Sequence, residues 1–441
     1  MSGRMNSSRT RRDFLKLAAG AAIAPTILSR RAAAATPAND RIGVAIIGSG
    51  GRGRTHVGGF QPFSDAQIRV VCDVNAVNRA AAKNRVDSMY GNTDCESMRF
   101  FEAVCLRDDI DAVIIAVPDH WHALIALAAA NNGKHIYLEK PFAYSIEEGK
   151  AIVDAVRKNG VVFQHGTQQR SDPNYWRACM LARNGHLGTV QTVRVGSPLG
   201  LKGGSLEMVP VPEGLEYDRW LGPAPFHLYT PGRCDGSSGQ GWYHIRDYSG
   251  GWITAWGAHD VDIAHWGIGA DDSGPVEVSG EAEFASDGAY DTAWRWHFDL
   301  SYANGAKVVY ASEDENPHGV KFEGSEGWIF VNREKLEADP ASLLEIALDG
   351  DAIQLTQADN HIGNFLDAIR NGTPVTAPLE AAHRSTNACH LCNIAAVLKR
   401  PVRWDPAKEE FVDDPEATAL MSRPMREPWS LTRPSPNPAA V

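Results

Sequence analysis

After residue 40, short runs of apolar and β-branched residues alternate with segments of helical character. Residues 41–47, 67–73, 110–117, 135–138 and 161–163 read as strands, and 123–130 and 146–158 read as helices between the later ones. Short apolar runs without alternation predict strands buried on both faces. Strand, helix, strand in repetition predicts an α/β fold with a parallel doubly wound sheet, whose ligands gather at the carboxyl ends of the strands. The second half has a different texture. Residues 190–195, 277–284, 294–302 and 307–310 alternate partially, as strands do, whereas 198–250 is rich in Gly and Pro and predicts long loops over a site. No internal repeat or low-complexity tract is found beyond residue 40.

Composition narrows the class. With 43% hydrophobic and 22% charged residues over 441 positions, the chain is globular and long enough for two or three self-sufficient cores. Its start reads Thr10-Arg11-Arg12-Asp13-Phe14-Leu15-Lys16, then an apolar stretch over 17–25 and alanines at 32–35. This resembles a twin-arginine signal peptide over residues 1–35, too short to span a bilayer. It implies a periplasmic or otherwise exported protein, carried folded by the twin-arginine machinery with any cofactor loaded beforehand. Removing residues 1–35, which hold seven basic residues and one acidic, leaves 36 basic against 53 acidic, a net of −17. Such a surface repels DNA and anionic lipid, so neither nucleic acid nor membrane is an expected partner. Seven scattered cysteines do not form a disulfide framework, and Cys389 and Cys392 read as packing residues in an apolar helix.

Residues 41–47 run directly into Gly48-Ser49-Gly50-Gly51-Arg52-Gly53, a GxGxxG between a strand and a helix-compatible segment. Gly48 permits the tight turn, Gly50 lets the backbone approach a pyrophosphate, and Gly53 allows close helix-to-strand packing. The second strand ends in Asp73, where a ribose hydroxyl needs an acceptor. Asp73 repels a 2′-phosphate and favours NAD, while Arg79 keeps NADP open. Pro118-Asp119-His120-Trp121-His122 and Glu139-Lys140-Pro141 follow later strands. The cofactor candidates are Gly48, Gly50, Gly51, Arg52, Gly53, Asp73, Asn75, Pro118, His120, His122, Glu139 and Lys140.

GSGGRG, Asp73, residues 118–122 and above all Glu139-Lys140-Pro141 resemble the Gfo/Idh/MocA family. Residues 166–172, and 250–262 with Gly250-Gly251-Trp252 and His259-Asp260-Val261-Asp262, look like further family segments. The resemblance implies an NAD(P)-binding Rossmann domain over 40–166 and a substrate-binding and oligomerisation α+β domain over 167–441. The latter is built on a large open, mostly antiparallel sheet. It assigns catalysis to Lys140, His259 and Asp262, with no metal. If residues from about Thr254 are helical, His259 and Asp262 share a face and Asp262 can orient the imidazole. Gln169, Arg170, Asp172, Trp256 and His259 are the substrate-binding candidates, and Pro141 is a candidate for a cis peptide. One position departs from the family: Ala255 stands where many of its dehydrogenases carry an aspartate four residues before the histidine.

The implied function is an exported NAD(P)-dependent oxidoreductase that transfers hydride at a secondary alcohol of a sugar, polyol or glycoside. An exported enzyme meets no abundant nicotinamide pool, so a tightly held, recycled cofactor is expected, in a homodimer or homotetramer. The alternatives are a redox-neutral lyase, epimerase or glycosidase working through a transient keto-sugar, and a noncatalytic sugar- or nucleotide-binding module.

Overall fold

The computed structural model describes residues 41–348 and 353–435; the twin-arginine segment expected over 1–35 lies outside them. The first sheet consists, among the described residues, of β1 (Ile42–Ile47), β2 (Ala66–Cys72), β3 (Glu96–Met98), β4 (Ala112–Ile115), β5 (His135–Leu138) and β6 (Phe163–His165). Its order is β3-β2-β1-β4-β5-β6 and every pairing is parallel. Side chains of β1 and β4 are buried along the whole strand, as their unbroken apolar sequences require. β6 begins two residues later than the sequence suggests; residues 161–162 lead into it, with the Val162 carbonyl accepting from the Ile136 N–H at 2.8 Å.

Helices alternate with these strands: α1 (Gly51–Gly59), α2 (Ala76–Tyr90), α3 (His122–Asn131) and α4 (Ile146–Asn159). Local chemistry sets their ends. Asn75 caps α2 by accepting from the N–H groups of Val77 and Asn78, Ser145 caps α4, and Gly160 closes α4 in the left-handed conformation.

The second sheet consists of β7 (Val190–Ser197), β8 (Pro275–Phe284), β9 (Ala293–Tyr302), β10 (Lys307–Ser312), β11 (Gly319–Gly324), β12 (Gly327–Val331), β13 (Leu336–Asp339), β14 (Val402–Asp405) and β15 (Glu410–Phe411). Its order is β13-β12-β11-β7-β10-β9-β8-β14-β15, antiparallel throughout except for the β7–β10 pair. The inner face, with Val195, Phe298, Leu300, Val308 and Phe322, packs on helices α5 (Pro173–Arg183), α6 (Trp252–Ala255), α7 (Gly257–Ile268) and, past α8 (His361–Asn371), α9 (Leu379–Leu398). Each large apolar side chain buried here stabilises the fold by about 1.5–3 kcal/mol. Cys389 and Cys392 belong to this core. The outer face is polar and ion-paired: Arg194 with Glu323 (3.1 Å), Lys307 with Asp299 (2.9 Å), Arg295 with Glu283 (3.3 Å). No helix among the described residues is long and apolar enough to cross a membrane.

Candidate active site

At the carboxyl ends of β1, β2, β4 and β5 lies a cleft of about 290 Å³, lined by Gly48, Gly50, Gly51, Arg52, Asp73, Asn75, Pro118, Glu139 and Lys140. Gly48 has φ +83°, and a Cβ there would lie 2.4 Å from the Ala116 carbonyl; a Cβ on Gly53 would lie 2.0 Å from that of Gly48. Only glycine meets both demands. A Cβ on Gly51, by contrast, would meet nothing within 4 Å. No side chain among the described residues caps α1 at Gly50, and Gly50, Gly51 and Arg52 line the cleft, a helix start suited to cradling a pyrophosphate. Asp73 accepts from the N–H groups of Ser49 (2.9 Å) and Asn75 (2.8 Å), which fixes its carboxylate at the cleft wall. Arg79 is committed to the Asp73 carbonyl at 2.5 Å. These residues fit NAD.

The loop over 198–250 closes the other wall with Trp220, Trp242 and Tyr243. It is pinned to the β2–α2 turn by Ala76 N–H to Gly214 O (2.8 Å) and Glu216 N–H to Val74 O (3.1 Å). Two expected cleft residues turn away. His120 Nε2 lies 3.0 Å from the Trp220 carbonyl. The His122 ring nitrogens lie 2.7 Å from the Pro141 carbonyl and 3.0 Å from that of Val117. Burial holds His120 down to about 3 and His122 to about 4, so both rings are neutral and tie the loop and the strand ends together. The residue between them, Trp121, is the one that reaches the cleft.

Glu139 organises the inner end. It accepts from Arg52 Nε (2.6 Å) and bonds His56 Nε2 (2.8 Å), two residues four apart on α1. Burial alone would raise its carboxyl, but Arg52 and His56 outweigh that and hold it well below the usual carboxylate range. The next residue, Lys140, precedes a cis proline. Its ammonium forms no ion pair among the described residues and stands 5.2 Å from the Tyr243 ring. Burial pulls it below its ordinary value, with Glu139 and Asp119 opposing. Asp119 is fully buried, and neither carboxyl oxygen has a hydrogen-bond partner among the described residues. Burial pushes it up to about 7, with Ser249 and Lys140 close enough to oppose the shift.

His259 faces Lys140 from the other sheet's helices. The helix expected from Thr254 is broken at Trp256, which joins α6 to α7, and the Trp256 carbonyl accepts from the His259 N–H at 2.8 Å. His259 is buried, and its Nδ1 has no hydrogen-bond partner among the described residues. Burial, then the cations of Lys140 and Arg333, hold its pKa well below the ordinary imidazole value. The Trp256 ring stands 5.9 Å from that of His259.

Asp262 does not orient His259, contrary to the sequence expectation. Its two oxygens take Arg170 Nε (2.6 Å) and Nη2 (2.8 Å), and Arg170 also bonds both oxygens of Asp271 (2.8 and 3.1 Å). With Arg170 and Asp262 each 1% exposed, neither is open to a substrate. Asp172 caps α5 through the N–H groups of Asn174 and Tyr175. Gln169 donates to Tyr175 Oη (2.5 Å) and Asp260 Oδ1 (3.3 Å), below the site. These side chains build the floor that sets α5 against α7; Trp256 alone of the non-histidine substrate candidates remains beside the reacting centre. His56, Asp119 and Arg333 were missed by motif reading. The i, i+4 spacing of Arg52 and His56 was the available signal for the first.

Known proteins agree with this architecture. The family model described as "Oxidoreductase family, NAD-binding Rossmann fold" matches residues 42–167, and "Oxidoreductase family, C-terminal alpha/beta domain" matches 199–431. The chain therefore belongs to the Gfo/Idh/MocA oxidoreductase family, and its first domain is an NAD-binding Rossmann domain. The scyllo-inositol 2-dehydrogenase (NAD(+)) of Bacillus subtilis (strain 168) is 28% identical over 62% of this chain and 71% of its own length. A glycosyl hydrolase family 109 protein of Shewanella baltica (strain OS185) is 30% identical over 40% of this chain and 42% of its own. Among solved structures, an aldose-aldose oxidoreductase from Caulobacter crescentus aligns with TM-score 0.61 at 18% identity, covering 82% of this chain and 99% of that one.

Proposed function

We propose that the protein is an exported NAD-dependent oxidoreductase that acts at a secondary alcohol of a sugar, polyol or glycoside and keeps its cofactor between turnovers. The observation that carries this is Lys140 in the wall of the dinucleotide cleft with the buried imidazole of His259 within electrostatic reach of it. NAD, when bound, supplies the hydride acceptor. His259 is neutral and available to take the hydroxyl proton, and the unpaired Lys140 ammonium donates a hydrogen bond to the oxygen as negative charge builds on it. Glu139 is fully engaged by Arg52 and His56, so it positions Lys140 by holding the strand end and takes no proton itself. Replacing Lys140 or His259 by Ala is expected to lower kcat by about 10²- to 10⁴-fold while bound NAD is retained. Wild-type turnover in both variants would remove the assignment.

Export rests on the twin-arginine pattern at residues 10–16, and recycling follows from export. The test is to purify the exported protein without added nucleotide, denature it and assay the released NAD. Near-stoichiometric NAD supports a retained cofactor; a folded, empty protein overturns it. The match to glycosyl hydrolase family 109 proteins favours a second reading, in which a sugar is oxidised, undergoes elimination or hydrolysis, and is reduced again. Release of an aglycone from a glycoside without net NADH formation would select that reading.

A further inference from the structure

Arg333 stands on the turn between β12 and β13, where Asn332 Oδ1 accepts from the N–H groups of Glu334 (2.9 Å) and Lys335 (2.9 Å). Its guanidinium lies 5.0 Å from the Trp256 ring, the aromatic that flanks His259, and the His318 ring packs against the same ring in a T-shaped pair with centroids 4.7 Å apart. Neighbouring cations are neutralised: Lys321 pairs with Glu323 (3.0 Å) and Lys335 with Glu337 (2.9 Å). Arg333 is exposed and has no ion pair among the described residues. A cavity of about 530 Å³, walled by His318, Trp328 and Phe330, opens beside it.

The charge balance around His259 is therefore uneven. Arg52 is matched by Glu139, and Asp260 is engaged by Ser197 (3.0 Å) and His318 (3.5 Å). Lys140, beside Asp119 and Glu139, and Arg333, with no ion pair among the described residues, are the cations that act most on His259. Lys140 is accounted for by the alkoxide. A guanidinium held over an aromatic face is preorganised for a planar or tetrahedral oxyanion, which it binds through parallel hydrogen bonds, and gains far less from a hydroxyl.

We propose that Arg333 reads an anionic group, a carboxylate or a phosphate, carried by the sugar on which His259 and Lys140 act. This deepens the oxidoreductase reading and rests on it for the identity of the reacting pair. Trp256 serves as the platform that holds the guanidinium, and the cavity beside Arg333 receives the charged end of the sugar.

The test is a tryptophan-fluorescence titration of the NAD-loaded full chain with D-glucose, D-glucuronate and D-glucose 6-phosphate, in wild type, Arg333→Gln and Arg333→Lys. The expected result is tighter binding of one anionic sugar than of glucose by about tenfold or more, the ratio that one charge-assisted contact supports. The ratio falls to near one in Arg333→Gln and is partly kept in Arg333→Lys. Glucuronate and glucose 6-phosphate separate carboxylate from phosphate. A wild-type ratio near one, no binding of either anionic sugar, or a ratio unchanged in Arg333→Gln overturns the proposal. Because quenching reports binding without turnover, binding of an anionic sugar with no NAD reduction would instead count against the oxidoreductase reading.

Discussion

Asp119 and Lys140 share one buried corner, and their protonation is coupled. With its carboxyl pushed up to about 7, Asp119 ionises across the neutral range, and its negative form favours the Lys140 ammonium that the alkoxide needs. Activity is therefore expected to rise as pH increases through about 7. In Asp119→Asn that inflection should vanish from the pH profile of kcat, with NAD still bound; an unchanged inflection would mean another group titrates there. Glu139-Lys140-Pro141 was legible because its residue types form a contiguous motif. Asp119 lay inside a motif too, yet its role depends on Lys140 and Ser249 reaching it across the fold, and no local pattern reports burial of a carboxyl without partners.

Among the elements, α7 shows how a helix face is chosen. His259 and Asp262 are three residues apart, but the Arg170 fork claims Asp262 and pulls it toward α5. Removing one partner of a buried charge pair strands the other, at about 3–5 kcal/mol. Arg170→Met is expected to lower stability by that amount in urea unfolding, with the site's chemistry affected only through loss of the folded protein. A stable Arg170→Met protein with selectively weakened substrate binding would restore Arg170 to the substrate site. The glycine turn carries a second expectation. Gly48→Ala forces a left-handed residue against the Ala116 carbonyl, and NAD affinity should fall by about five- to 150-fold, as about 1–3 kcal/mol of strain implies; equal affinity would show that the turn can relax.

Across the molecule, fully buried histidines are held neutral by burial, and most of them hydrogen-bond across elements. Beside His259, six more have depressed values: His120 and His165 about 3, and His122, His265, His361 and His390 about 4. The unfolded chain protonates these rings near 6.5, well before the folded one does. Their contribution is complete above pH 6.5 and is lost as pH falls toward 3–4, each by up to about 1.4 kcal/mol per pH unit. Asp119 has the opposite sign, losing stability as pH rises from about 4 to about 7, and the buried carboxyls of Asp73, Glu148 and Asp262, also raised by burial, act in the same direction. The urea midpoint is expected to drop markedly between pH 7 and pH 5; equal midpoints would show that these rings are solvated.

Periodicity and glycine spacing were enough to specify five strands of the parallel sheet and the dinucleotide cleft, because each depends on residues adjacent in the chain; β3, three residues long with Glu96 and Ser97 exposed, carries no apolar run to read. Four strands of the second sheet, β7 to β10, were also readable from alternation; β11 to β15 were not, and neither was the strand order, since β7 pairs with β10 and β11 from far along the chain. The reacting centre lay between these limits. Lys140 and His259 could be named from local motifs, but their electrostatic coupling, the diversion of Asp262 to Arg170, the withdrawal of His120 and His122 to backbone carbonyls, and the arrival of Arg333 over Trp256 arise from long-range packing. Competing partners for a buried polar group come from distant segments, and the lowest-energy pairing is settled only when those segments are brought together.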